Sequence, residues 1–271
     1  MPDVRYLFPN GKKSALTFSY DDGVAADRRL VERFNHYGFK GTFNLNTSVL
    51  DKPDHLTTAE LPSLFAGHEV AVHTYHHPFL ERIARSQMIG ELLADRQNLE
   101  AIFHKPITGL AYPYGTYDPE VLATLRAMGF TYARTAGDET GNFRHPQDWL
   151  VWRPTCHHKR ALEFVDMFLN SYHMLTFFYI WGHSYEFDRD NNWELVDQIG
   201  ERLTNQPHVW YVTNGELQHY LDSIHRLIFT VDMNTVYNPT DCRIWLQAGK
   251  ERVLTLAPGE TICLDSVPES L

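Results

Sequence analysis

The sequence predicts an α/β protein with a parallel sheet, followed by a small antiparallel β appendage. Three observations predict it. From Ser14 to about His225, short apolar runs alternate with segments whose apolar residues recur at helical spacing. Polar clusters fall at or just past the ends of the predicted strands: Asp21-Asp22, His73 to His77, Tyr112 to Tyr114, Arg134, Arg153 and His183. That is the edge where a barrel of parallel strands carries its active face. From Leu227 the pattern changes to short alternating runs separated by Asn, Pro and Gly. The expected division is 1–225 for the α/β unit and 226–271 for a small β accessory region.

The elements follow in order. Ala15 to Phe18 reads as a strand, and Val24 to Tyr37 as a helix carrying Leu30, Val31 and Phe34 on one face. Gly41 to Asn46 is a second strand, Thr57 to Phe65 a short helix, and Glu69 to Val72 a third strand. A long helix spans about Ser86 to Phe103, with Met88, Leu92, Leu99 and Ile102 as its apolar stripe. Gly109 to Tyr112 leads into the loop Pro113-Tyr114-Gly115. Asp118 caps a helix with Pro119 at its first position, and Gly129 ends it. Phe130 to Arg134 is a strand, Thr135 to Trp149 a loop, Leu150-Val151 a short strand and Lys159 to Asn170 a helix. Met174 to Trp181 is a strongly apolar strand. Trp193 to Leu203, Val209 to Val212 and Asn214 to His225 complete the alternation as helix, strand and helix.

Composition excludes several classes. A net charge of −10 over 271 residues argues against a nucleic-acid partner. No apolar run approaches the ~18 residues of a membrane span, so no membrane partner is expected. Met1 to Lys13 shows no basic segment followed by an apolar one. Cys156, Cys242 and Cys263 do not make a disulfide framework. A cytoplasmic location is the expectation.

The chemistry concentrates in two stretches. Asp21-Asp22-Gly23 puts adjacent carboxylates where a strand ends, costly to keep charged without a cation or donor nearby. His73 and His77 are four apart at another strand end, a spacing that serves one divalent cation if the chain between them turns helically. With Asp22 they make a set of two imidazoles and one carboxylate, the donor set of a hydrolytic site with an open position. Zn²⁺ is the default for such a set, with Co²⁺, Ni²⁺ and Mn²⁺ as alternatives. In a chain with 15 histidines, a His-rich run alone reads first as a solvated loop, and Asp21-Asp22 shift the reading to a metal site. His76, His157 and His158 read as groups flanking the site, or as extra ligands.

Asp21-Asp22-Gly23 after an apolar strand, Gly67-His68-Glu69 leading to His73-Thr74-x-x-His77, and Pro113-Tyr114-Gly115 resemble the NodB-homology polysaccharide deacetylases, carbohydrate esterase family four. Tyr37 to Phe43 also resembles that family, and the resemblance covers about Ser14 to Tyr220. It implies a distorted (β/α)7-type barrel and metal-dependent removal of acetyl groups from sugars. It implies Asp21 as general base, Asp22, His73 and His77 as metal ligands, and His183 as general acid. The substrate implied is an acetylated sugar or oligosaccharide. Departures mark an atypical branch. The Arg that many members carry two residues before the Pro of the third motif is Ala111 here. Arg134 and Arg153 are the candidate replacements, and Arg153 is preferred because Pro154 stiffens its loop. Glu186 reads as a partner that orients His183, or as a surface residue. Tyr112, Tyr114, Trp152 and Trp181 are the candidate aromatic walls of a sugar site. Two other readings compete: a metal-dependent deacylase of a non-sugar amide or O-acetyl ester, and a catalytically silent sugar-binding protein. The retained proton carriers Asp21 and His183 argue against silence.

Overall fold

The computed structural model describes residues 4–137, 139–249 and 252–264. Its centre is a parallel sheet of eight strands. These are β2 (Ser14–Asp21), β3 (Gly41–Leu45), β4 (Glu69–Val72), β5 (Gly109–Ala111), β6 (Tyr132–Arg134), β7 (Cys156–His157), β8 (Thr176–Gly182) and β9 (Val209–Tyr211). The order is β6-β5-β4-β3-β2-β8-β7, and β9 also pairs with β2. β8 runs along one edge of β2 from Ser14 to Tyr20. The other edge is shared, with β9 beside Ser14 to Leu16 and β3 beside Phe18 to Asp21. The segment from Trp152 to Thr155 bridges toward the other end of the sheet: Trp152 N–H donates to Ala133 O, its carbonyl accepts from Thr135 N, and Thr155 N–H donates to Tyr179 O of β8. The result is a curled, distorted (β/α)7-type barrel, as expected.

Alternation along β2 and β3 sets what faces where. Leu16, Phe18 and Tyr20 pack outward against Leu30, Val31 and Phe34 of α1 (Asp27–Tyr37). Burying each of those helix side chains contributes ~1.5–3 kcal/mol. Phe34 also meets Phe18 ring to ring at 4.6 Å in a tilted arrangement, so Phe34→Ala should weaken this layer by ~3–5 kcal/mol. The opposite parity is polar and points inside: Thr17, Ser19 and Asp21 from β2, Thr42 and Asn44 from β3. The interior of this barrel is therefore polar around Thr17, Ser19, Asp21, Thr42 and Asn44, while Ala15 and Phe177 pack in an apolar cluster with Tyr132, Trp152 and Tyr179.

The remaining helices cover the sheet: α2 (Leu61–Leu64), α3 (Arg85–Phe103), α4 (Pro119–Ala127), α5 (Ala161–Leu169), α6 (Tyr185–Arg189), α7 (Glu194–Leu203) and α8 (Asn214–His225). Asp118 caps α4 as expected, accepting from Val121 N at 2.8 Å. Thr213 and Glu216 make a capping box on α8. The helix expected over Thr57 to Phe65 is one turn only. The strand expected at Leu150-Val151 is a 3₁₀ turn, because Asp148 accepts from Leu150 N and bends the chain.

The tail forms antiparallel strands, as expected: β10 (Ile228–Phe229), β11 (Thr235–Tyr237), β12 (Ile244–Ala248), β13 (Arg252–Leu256) and β14 (Thr261–Cys263). They make two small sheets, β10-β11-β14 and β1-β12-β13. The second takes its edge strand from the other end of the chain, β1 (Val4–Leu7), with Tyr6 opposite Leu246. Both sheets share one apolar cluster with Phe8, Tyr132, Trp152, Phe177 and α8. No helix among the described residues is long and apolar enough to cross a membrane.

Candidate metal centre and active site

β2 delivers Asp21 to the rim of the barrel, 2% exposed. Its Oδ1 accepts from Asn44 Nδ2 at 2.8 Å, and its Oδ2 accepts from Arg134 Nη2 at the end of β6. Burial acts to raise the Asp21 pKa, but Arg134, His73 and His183 outweigh it and hold the carboxyl at about 2. Asp22 turns out of the strand with φ 82°, its N–H held by Asn44 O. Burial and then the Asp21 charge push Asp22 up to about 6, against the opposing pull of His183 and Arg134.

His73 follows β4 and is 1% exposed. Its N–H donates to Leu45 O and to Asp95 Oδ2. Its Nδ1 lies 2.8 Å from Ala111 O, so Nδ1 carries the hydrogen and Nε2 is left as a lone pair. That lone pair faces Asp22 Oδ1 at 3.7 Å and Asp21 Oδ2 at 3.9 Å. Burial lowers the His73 pKa to about 4, which keeps the ring neutral as a ligand must be. His77 reaches the same place, but not by the helical turn the spacing suggested. Thr74 and His77 both adopt left-handed backbone, with φ 66° and 59°, and fold the ring of His77 back to 4.7 Å from that of His73. Three left-handed non-glycine residues in one rim cost ~1–3 kcal/mol each, the sort of strain that collects at functional sites.

One ligand atom each from Asp22, His73 and His77 lies within 4.8 Å of the others. This donor set and the hydrogen-bonded back of His73 fit a divalent cation. On the far flank of Asp21, His183 Nε2 stands 3.8 Å from Asp21 Oδ2 and 4.0 Å from Asp22 Oδ2. Beside the triad a cleft of about 200 Å³ opens between Asp22, Asn46, Val49 and His77. A larger cavity lies at the start of β8, around Phe143, Tyr172 and Thr176, at the opposite end of that strand from His183.

The structure brings Arg134, and not Arg153, to Asp21. Arg134 shares inward parity with Tyr132, whereas Arg153 follows the buried Trp152 and is exposed beside Thr140, Asn142 and Arg144. Among the aromatics, Tyr112 is buried outside the barrel with its hydroxyl on Leu150 O. Trp152 is fully buried between Tyr132, Phe177 and Tyr179. Both are core side chains with no face open to a ligand. Tyr114 is 53% exposed, stacked on Phe79 at 3.7 Å and edge-on to His77. Trp181 lies over the Arg134 guanidinium at 4.5 Å.

Three positioning residues escaped sequence reasoning. Asn44 and Asn46 repeat at the inward parity of Thr42-Phe43-Asn44-Leu45-Asn46, a readable signal. Asn46 Nδ2 donates to the carbonyls of His73 and Thr74. Asp95 interrupts the stripe Met88, Leu92, Leu99 at a core position, and it is fully buried to hold the backbone of Thr47 and His73.

Residues 9–133 match the family described as polysaccharide deacetylase. Chitin deacetylase 1 of Cryptococcus neoformans is 26% identical over 166 residues, covering 59% of this chain and 34% of that protein. A probable peptidoglycan-N-acetylglucosamine deacetylase of Arthroderma benhamiae is 26% identical over 136 residues, covering 49% and 31%. The matches thus span about a third of the length of these relatives. In structure, a putative polysaccharide deacetylase from Mycobacterium smegmatis aligns with a TM-score of 0.58 at 16% identity, over 83% of this chain and 96% of that one. Peptidoglycan deacetylase PdaC from Bacillus subtilis aligns with a TM-score of 0.52 at 22% identity, over 81% and 96%. The structural likenesses establish the fold.

Proposed function

We propose, from the match of residues 9–133 to the polysaccharide deacetylase family, that this chain is a metal-dependent hydrolase that removes acetyl groups from N-acetylated sugars. One observation carries the reading. The Asp21 carboxylate is pinned between the lone pair of His73 at 3.9 Å and the ring of His183 at 3.8 Å, with Arg134 and Asn44 fixing its orientation. A base, a ligand set and an acid thus share one rim.

Asp22, His73 and His77 would hold a divalent cation, which when bound supplies Lewis-acid polarisation and a more acidic water. Asp21 accepts a proton from the attacking water. A carboxyl held at about 2 is ionised at every working pH but is a weak base alone, so its use depends on that added acidity. Arg134 keeps the Asp21 charge in place and turns its oxygens toward the rim. His183 Nε2, on the other flank, is placed to give a proton to the departing amine. Tyr114 and Trp181 supply flat faces for a sugar ring, while Asn46 and Asp95 keep His73 in register. The test is acetate release from a panel of acetylated chito- and peptidoglycan-type oligosaccharides, with and without chelator. Release that chelator abolishes and added cation restores is expected. Release untouched by chelator, or from small amides and never from sugars, would overturn the reading.

A further inference from the structure

The second nitrogen of His183 faces a separate group of side chains. Its Nδ1 is 3.8 Å from Glu186 Oε1. Glu186 Oε2 is 3.0 Å from His157 Nε2 and 3.3 Å from His158 Nε2. Yet His183 Nδ1 and both nitrogens of His158 are buried without a hydrogen-bond partner. Three imidazoles and a carboxylate converge at close range, and the contacts of Glu186 with His157 and Arg189 leave His158 and His183 Nδ1 unaccounted for. Buried polar groups left in that state call for an explanation.

The group is built into the fold. His158 is fully buried, sandwiched between Tyr20 and Phe187 with ring centroids at 5.8 and 4.2 Å. It fits only because residue 182 is glycine: a Cβ there would sit 2.0 Å from His158 Nδ1. Two cations approach Glu186, Lys159 at 4.0 Å and Arg189 at 3.4 Å. Both are half-exposed and pair more closely with Asp190, at 2.7 and 2.8 Å, so they do not fill the space between the imidazoles.

We propose that His157, His183 and Glu186 hold a second divalent cation, with His158 Nε2 as a further donor in reach. One ligand atom from each of the three lies within 4.8 Å of the others, as in Asp22, His73 and His77. Two ligands on a tetrahedral Zn²⁺ at ~2.0–2.2 Å stand a little over 3 Å apart, and the spacings above bracket that value. His183 is then shared between two sites. Its Nδ1 serves this cation, and its hydrogen is fixed on Nε2, the side that faces Asp21 and Asp22. The site stands on its own geometry; only this consequence for the acid rests on the proposed function.

The experiment is metal stoichiometry on the purified full chain, stripped by chelator, reloaded with Zn²⁺ alone and read by elemental analysis and titration calorimetry. Wild type should bind two equivalents. His77→Ala and His157→Gln should each bind one, and the double variant none, with circular dichroism confirming folded chains. Glu186→Gln serves as a second probe if His157→Gln fails to fold. One equivalent in wild type, lost in His77→Ala and kept in His157→Gln, would overturn the second site. Loss in His157→Gln but not in His77→Ala would instead uphold it and overturn the first.

Discussion

The lower interior of the barrel and its rim are both polar and both buried, yet they are built on opposite terms. Below, the groups around Glu69 and Asn214 are paired within the protein. Glu69 accepts from Thr42 Oγ1, Tyr132 Oη and Gly215 N at 2.8–2.9 Å. Asn214 accepts from Thr17 Oγ1 and donates to Tyr179 Oη. Gly215 is itself required by this network, because a Cβ there would lie 2.4 Å from Glu69 Oε1. At the rim, partners hold the backs of the side chains and leave their working atoms open, as Ala111 O does for His73. Polarity inside a barrel therefore does not mark a site. What marks one is a group oriented from behind and unpaired in front.

This contrast predicts which variants lose what. His77→Ala should have the largest effect: loss of the bound cation at that site and of nearly all turnover, with little change in the melting temperature of the metal-free protein. A metal-free melt that fell as far as the activity would place His77 with the structural network instead. His183→Ala should cost ~10²–10⁴-fold on an N-acetyl sugar. It should cost far less on an activated acetyl ester, whose phenolate leaves without a proton. Equal losses on the two substrates would argue against the acid role.

Glu69→Gln should do the reverse. Replacing one accepting oxygen of a buried, triply bonded carboxylate with an amide leaves at least one donor unpaired, at ~1–3 kcal/mol. Denaturant unfolding should show that loss while turnover per folded molecule stays unchanged. Two further effects should appear in pH. Burial holds His68, at the foot of β4, down to about 4 from 6.5. Its contribution to stability is present above pH 6.5 and is lost as pH falls through 4. Burial lifts Asp27, near the rim and bonded to Ser184, from 3.8 to about 8. Its contribution is present below 3.8 and is lost as pH rises through 8. His68→Gln should flatten the acid arm of the stability profile and Asp27→Asn the alkaline arm. Unchanged arms would show that neither group titrates with unfolding.

The same contrast explains what the sequence made legible. Asp21-Asp22 and His73 to His77 sit directly after strands, so their arrival at one rim followed from the alternation of strands and helices. What alternation alone did not supply was inward or outward parity beyond the strand ends. Arg134 points in and Arg153 does not, although both follow apolar stretches, because the 3₁₀ turn at Trp149–Val151 resets the register before Trp152. Trp152 directly follows that turn and is core, and Tyr112 packs in the same outer core cluster as Leu110 of β5. The pairing of β1 with β12 joins residues more than 230 positions apart, and no local pattern in Val4 to Leu7 announces it. Asp95 was readable in principle, as the one charge on an otherwise apolar helical stripe.

The account rests on Asp21 as a proton acceptor held ionised beside a ligand set that does not include it. The direct measurement is turnover of metal-loaded Asp21→Asn on an N-acetylated oligosaccharide, with cation content determined on the same sample. Cation content equal to wild type with a ~10²–10⁴-fold loss of rate is the predicted result. Near wild-type turnover at full cation content would contradict it.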